Sequence, residues 1–188
     1  MLGERIEIRP IRPDDREALA DGIRRMSPES RYRRFFSPIE RLSDAQLTYL
    51  TEVDHHHHEA LVAVERETNR GIGVARFVRS EDDPSVAEVA VALADDWHNQ
   101  GVGSTLLHRL TERAREEGIC RFSGSVLEEN RPMMELLREL GDVQVRDRAA
   151  GAVELEVELP DEGIGAGLRE ALRAAARGML RARLPHWG

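Results

Sequence analysis

The stretch Trp97-His98-Asn99-Gln100-Gly101-Val102-Gly103 places two glycines one residue apart, between an apolar run ending at Leu93 and a helical pattern opening at Ser104. Ser104 to Glu117 carries Leu106, Leu107, Leu110 and Ala114 on one face, and Gly118 terminates it. Ala87 to Leu93 reads as a strand before the loop, and Ile119 to Val126 as a strand after the helix. The loop therefore sits inside a β-α-β unit. Gly-x-Gly at such a place is either a plain turn or a loop that holds an anion. Helix N-termini leave amides unpaired and carry partial positive charge. Glycines let the backbone approach a ligand with no β-carbon in the way. The spacing matches neither a Walker loop nor a dinucleotide fingerprint, so by itself it leaves both readings open.

Outward toward the N-terminus, Ala60 to Val64 and Ile72 to Val78 are apolar runs joined by the turn residues Asn69-Arg70-Gly71, which predicts a hairpin. Three helices come before it. Pro13 opens one with Ala18, Leu19, Gly22 and Ile23 on a face. Ser27 caps a second, SPESRYRRFF, with Pro28 in its first turn. Ser43 and Gln46 form a capping box for a third, with Leu42 and Leu47 spaced as its staple. Ile6 to Ile8 is a short opening strand.

Toward the C-terminus, Asn130 caps a helix with Met133, Leu136, Leu137 and Leu140 on its stripe, and Gly141 ends it. Val143 to Val145 and Val153 to Leu159 are expected to pair as a final hairpin. Gly163, Gly165 and Gly167 imitate a nucleotide loop, but no strand follows, so they read as a hinge. The helix expected over about 167–183 sets Arg169, Arg173, Arg177 and Arg181 opposite Leu168, Leu172, Ala175 and Met179. It is basic on an acidic chain, which suits docking on the chain's own body or on a second copy, a possible homodimer. Membrane-surface binding is the alternative reading of such a helix. The expectation is an α+β domain over residues 1–159, with residues 160–188 added as hinge and helix.

The chain has 188 residues, 40% of them hydrophobic and 33% charged, which fits one globular domain. It contains no run of about 18 apolar residues. MLGERIEIRP has charges where a signal peptide needs an apolar centre. Cys120 is the one cysteine, so no internal disulfide can form, and a cytoplasmic protein is expected. A net charge of −8 argues against nucleic acid as main partner and favours cationic substrates. All 27 basic residues are Arg, so the side chains offer no primary amine.

The segment AEVAVALADDWHNQGVGSTLLHRLTERA resembles the cofactor segment of the GNAT superfamily of N-acetyltransferases. The family pattern is Gln or Arg, two residues, Gly, one residue, then Gly or Ala. Gly101 and Gly103 fill its glycine positions, and His98 stands where Gln or Arg is usual. Asn130 in LEENRPMMELLRELG matches the Asn that opens the next helix. The resemblance implies a GNAT-type mixed sheet of six to seven strands flanked by helices. It also implies acetyl-CoA held by the backbone of Val91, Ala92 and Leu93, by His98, Asn99, Gln100, Gly101, Val102, Gly103 and Ser104, and by Asn130. No metal is implied. IRPIRPDD, SPESRYRRFF and the AEVAV strand further resemble the catalytic domain of bacterial protein lysine acetyltransferases of the Pat type.

By that resemblance Glu88 is the base that takes the proton of the acceptor amine. In an otherwise apolar strand it is expected to lose part of its hydration, which pushes a carboxyl up toward the useful range. An edge charge facing solvent is the other reading of the same residue. Arg31, Tyr32 and Arg34 are implied as acceptor-binding; a solvated basic face is their alternative. Many relatives place a Tyr acid in the Asn-capped helix, and counting from Asn130 that position falls on Leu137. His55 to His58 have no neighbouring Cys or paired carboxylate to complete a zinc set. They are expected to form a polar loop entering the Ala60 strand. The acceptors implied are a protein lysine or a small amine. A non-catalytic acyl-CoA-binding module is the reading from another class.

Overall fold

The structure, a computed structural model, describes residues 5–160. The hinge and the helix expected beyond Pro160 lie outside the described residues. Strand β1 (Ile6–Pro10) leads through a 3₁₀ turn (Pro13–Asp15) into α1 (Arg16–Arg25), α2 (Pro28–Phe35) and α3 (Asp44–Thr51). Then come β2 (His58–Glu65), β3 (Gly71–Arg79) and β4 (Val86–Leu93), a 3₁₀ turn (Asp95–Trp97) and α4 (Val102–Glu116). The chain continues through β5 (Arg121–Leu127), α5 (Arg131–Leu140), β6 (Asp142–Ala149) and β7 (Ala152–Glu158). The strands form one seven-stranded sheet in the order β1-β2-β3-β4-β5-β7-β6. Its pairs are antiparallel except β4 with β5, the two ends of the β-α-β unit.

At β2 both sheet faces are covered. Side chains alternate across a strand, so Leu61 and Ala63 of β2 pack with Leu106, Leu107 and Leu110 of α4 on one side. Ala60, Val62 and Val64 pack with Leu19, Ile23 and Leu47 of α1 and α3 on the other. That is why β2 reads as an unbroken apolar run. The predicted caps are present. Ser27 Oγ accepts from the Ser30 amide at 3.1 Å, and Ser43 exchanges both capping-box bonds with Gln46. Ser43→Ala removes the acceptor of an orphan amide and is expected to cost about 1 kcal/mol in denaturant unfolding.

Asp15 is 4% exposed and takes a two-pronged bond from Arg9, with both distances 2.7 Å, plus the Arg12 amide at 2.8 Å. Burial alone pushes its carboxyl up, but these bonds outweigh that and leave it below the ordinary carboxylate range. A depressed folded-state value means stability that is present above the unfolded value and lost below it. Wild type is therefore expected to lose stability relative to Asp15→Asn as pH falls below about 4. Denaturant midpoints of the two proteins at pH 7 and pH 3 read this directly.

Candidate active site

The two strands flanking the glycine loop separate. Parallel pairing of β4 with β5 runs Val86 with Arg121, Ala87 with Phe122 and Glu88 with Ser123, and ends there. Beyond it β4 stays with β3 as far as Leu93, while β5 stays with β7 as far as Leu127. The result is a wedge opening from Glu88 toward the C-terminal ends of both strands. The register fixes which β4 groups face it. The Ala94 amide bonds the Ile72 carbonyl at 2.8 Å, and the Ser80 amide bonds the Val86 carbonyl at 2.9 Å. Even-numbered β4 residues thus spend their backbone groups on β3. The Val89 N–H closes the last β4–β5 pair, Glu88 with Ser123; the Val89 C=O and the N–H and C=O groups of Val91 and Leu93 point into the wedge. Ala92, expected among the cofactor contacts, has its backbone turned to β3 instead.

The glycine loop lies at the wide end. Gly101 caps α4 in the left-handed region at φ 77°, where a β-carbon is costly. Thr105 is the first amide bonded back into the helix, to the Gly101 carbonyl at 3.0 Å. The amides of Val102, Gly103 and Ser104 precede it and have no intrahelical acceptor. A cleft lined by Val91, Leu93, His98, Asn99, Gly101 and Gly103 on one wall meets Asn130, Met133 and Leu136 of α5 on the other. Val102 and Ser104 border it as well. Gln100 does not, because its side chain donates to the Asp96 carbonyl at 2.7 Å. The helix begins two residues before Ser104 because a glycine N-cap leaves Val102 free to take the first helical position.

One charged tie connects this loop to α2. Asp95 Oδ2 accepts from the Ser27 amide at 2.9 Å, and His98 Nε2 lies 3.9 Å from Asp95 Oδ1. Burial pushes the Asp95 carboxyl up, but bonds from Ser30 and Ser27 and the nearby His98 hold it below the ordinary range. The N-terminus of α2 is thereby fixed against the lip of the glycine loop. Met26, Ser30 and Arg33, spaced by four and three residues, turn one face of that segment to the cleft.

A second cleft continues from the narrow end of the wedge. It is lined by Glu88, Arg33, Arg34, Phe36, Ser125 and Glu154, with Leu137 on the α5 side. Arg33, Asn130 and Met133 border both clefts, so the two meet there. Glu88 is exposed in this cleft, so the desolvation expected of it is not present: its side chain leaves the sheet on the helix α2 side, where the cleft is open. Asn130 caps α5, its Oδ1 accepting from the Met133 amide at 3.3 Å. Leu137 is 1% exposed.

The structure separates the three expected acceptor contacts. Arg34 lines the second cleft, whereas Arg31 donates to the Met26 carbonyl at 2.7 Å and Tyr32 is exposed on the outside of α2. Arg33, which the sequence reading passed over, is the α2 residue at the junction. Its signal was the four-three spacing from Met26 and Ser30. Phe36 is drawn into the cleft wall by the left-handed turn that ends α2, at φ 51°.

The histidine run is a loop built on Asp54. Its Oδ1 accepts the amides of His56, His57 and His58 at 2.9, 2.9 and 2.8 Å, which holds that carboxyl well below the usual range. His55 Nδ1 lies 2.8 Å from buried Glu59, which Arg113 also contacts at 3.3 Å. Among the described residues no group of three or more His, Cys, Asp or Glu is placed to hold a metal ion.

Residues 5–142 match the family model of the acetyltransferase (GNAT) domain. The chain is 38% identical over 158 residues to acetyltransferase Pat of Mycolicibacterium smegmatis, covering 84% of this chain and 47% of that protein. It therefore spans about half the length of that relative. Acetyltransferase PA5475 of Pseudomonas aeruginosa is 33% identical over 147 residues, with 77% and 78% covered. The crystal structure of the GNAT domain of S. lividans PAT superposes with a TM-score of 0.75 at 33% identity, over 82% of this chain and 90% of that one. The chain belongs to the GNAT family of N-acetyltransferases, whose acetyl donor is acetyl-CoA.

Proposed function

We propose that this chain transfers an acetyl group from acetyl-CoA directly to a primary amine, with a protein lysine side chain as acceptor. The carrying observation is the wedge. It ends the β4–β5 ladder at Glu88 and joins the cofactor cleft to a second cleft containing that carboxylate. The amides of Val102, Gly103 and Ser104 suit the pyrophosphate, and Asn130 and Met133 suit the acyl arm as it enters the junction. Val91, the first β4 residue past the ladder with its amide facing the wedge, presents that amide where negative charge grows on the thioester oxygen.

The acceptor nitrogen then attacks the carbonyl carbon from the second cleft. Its proton passes to Glu88, the C–N bond forms, and the C–S bond breaks with its electron pair on sulfur. Leu137 offers no proton, so the thiolate takes one from water. Cys120 borders neither cleft, which supports direct transfer without an acyl-enzyme.

Leu137 also favours a second reading, a module that binds acyl-CoA without turnover. Free thiol measured from acetyl-CoA with lysine peptides or small amines separates the two. Release that depends on the acceptor supports transfer; binding with no release on any amine contradicts it. Self-labelling is a further check. With no Lys in the chain, mass spectrometry after incubation with acetyl-CoA is expected to find no side-chain amide adduct. Several stable adducts would point to another nucleophile, Cys120 first.

A further inference from the structure

Guanidinium groups crowd the acceptor side of the wedge, and they are not equally paired. Arg33 has a carboxylate partner, Glu29, at 2.5 Å. Arg76 is buried in β3 and, among the described residues, donates to neutral groups, His58 Nε2 at 2.9 Å and the Leu50 carbonyl at 3.2 Å. Burial, with the Arg76 charge added, pushes His58 down to about 4, so it is an uncharged acceptor at neutral pH. Arg34 is half-buried, lies over the Phe35 ring at 5.0 Å and lines the acceptor cleft. Among the described residues its guanidinium has no hydrogen bond and no ion pair, and none of its nitrogens is sealed from the cleft.

That arrangement is costly when empty. Burial lowers the proton affinity of Arg34, and the charge of Glu88, out of contact, opposes it. Arg76 is pushed down to about 10 by burial and by the Arg34 charge. A desolvated cation without a partner is unfavourable in any fold. Turnover makes this worse. When Glu88 takes the amine proton it becomes neutral, and Arg34 loses the counter-charge that Glu88 supplied.

We propose that Arg34 is the binding site for a carboxylate carried by the acceptor, close to the amine that is acetylated. The inference rests on the acceptor cleft assigned above. A guanidinium edge matches a carboxylate with two parallel bonds. The anion would replace the counter-charge that Glu88 gives up. Two acceptor sources share this chemistry: a lysine with an Asp or Glu neighbour in a protein segment, and a small amine bearing a carboxylate. Purely cationic amines, which the overall negative charge alone would favour, bring no anion for Arg34 to bind.

The test compares lysine peptides that differ only in Glu, Ala or Arg neighbours, together with 6-aminohexanoate against hexylamine. Wild type, Arg34→Met and Arg34→Lys are assayed with each. Wild type is expected to prefer the carboxylate-bearing member by on the order of 10- to 100-fold in kcat/KM. Arg34→Met should abolish that preference through KM with acetyl-CoA affinity unchanged by calorimetry, and Arg34→Lys should keep part of it. Equal use of acidic and neutral acceptors by wild type overturns the carboxylate site and leaves lysine acetylation standing. So does a preference that survives both substitutions. Arg34-dependent acetylation of 6-aminohexanoate with no peptide acetylated supports the carboxylate site and overturns the protein-lysine reading. Acetylation of none of these acceptors overturns both.

Discussion

Glu88→Gln is expected to lower the rate of acetyl transfer by on the order of 10²–10⁴ at pH 7, with acetyl-CoA affinity and folding preserved. Gln is nearly isosteric with Glu, and the side chain is exposed at the narrow end of the wedge, so no core contact is lost. What is lost is a proton acceptor. A free lysine amine has a pKa of about 10.4, so at neutral pH it arrives charged and must give up a proton before or during attack. The deficit should therefore shrink as pH rises and more acceptor arrives neutral. Rate against pH for both proteins on one acceptor measures this. Near-normal turnover of Glu88→Gln at pH 7 would remove Glu88 from the mechanism.

Gly103→Val is expected to weaken acetyl-CoA binding by about 30-fold or more, roughly 2 kcal/mol. A β-carbon at Gly103 meets Leu93 Cδ1 at 3.0 Å and Leu136 Cδ1 at 3.5 Å, so even one carbon makes its neighbours give. The branches of Val would then extend into the cleft beside the free helix amides. Part of the change is structural, because Leu93 and Leu136 form the two walls of that cleft. Circular dichroism establishes whether the variant is folded, and calorimetry reads the affinity. A folded variant with unchanged affinity would mean that the donor does not lie against this glycine.

The helix caps were legible because they are local. Ser27, Ser43 and Asn130 each satisfy the amide three residues on, whatever the rest of the chain does. The strand pair around the glycine loop was legible for the same reason: apolar runs and turn residues alternate within a short span. Strand β6 was underestimated at Val143 to Val145, and it runs from Asp142 to Ala149. It is an edge strand exposed along nearly all its length, so no apolar alternation marks its far half.

The site was legible by residue type and less so by geometry. Gly101, Gly103, His98 and Asn130, grouped from the sequence, border one cleft. The wedge is a different matter. It depends on where two strands far apart in sequence stop pairing, and the chain around Glu88 carries no local mark of that point. The same gap explains why Glu88 was expected to be desolvated and why Arg31 was grouped with Arg34. Helical position decides which Arg of RYRRFF faces the wedge, and the sheet had to be placed before that face could be chosen. Arg33 and Arg34 meet the clefts, while Arg31 turns back to the Met26 carbonyl.

The proposed transfer requires donor and acceptor to meet where β4 leaves β5. The most direct measurement is the distance from the acceptor nitrogen to the Glu88 carboxylate in a crystal structure with a lysine peptide joined to coenzyme A through its acetyl bridge. The prediction is a hydrogen bond of about 2.6–3.2 Å, direct or through one water, with the bridge carbonyl against the Val89–Val91 edge. A nitrogen directed away from Glu88, with the carbonyl off that edge, would contradict it.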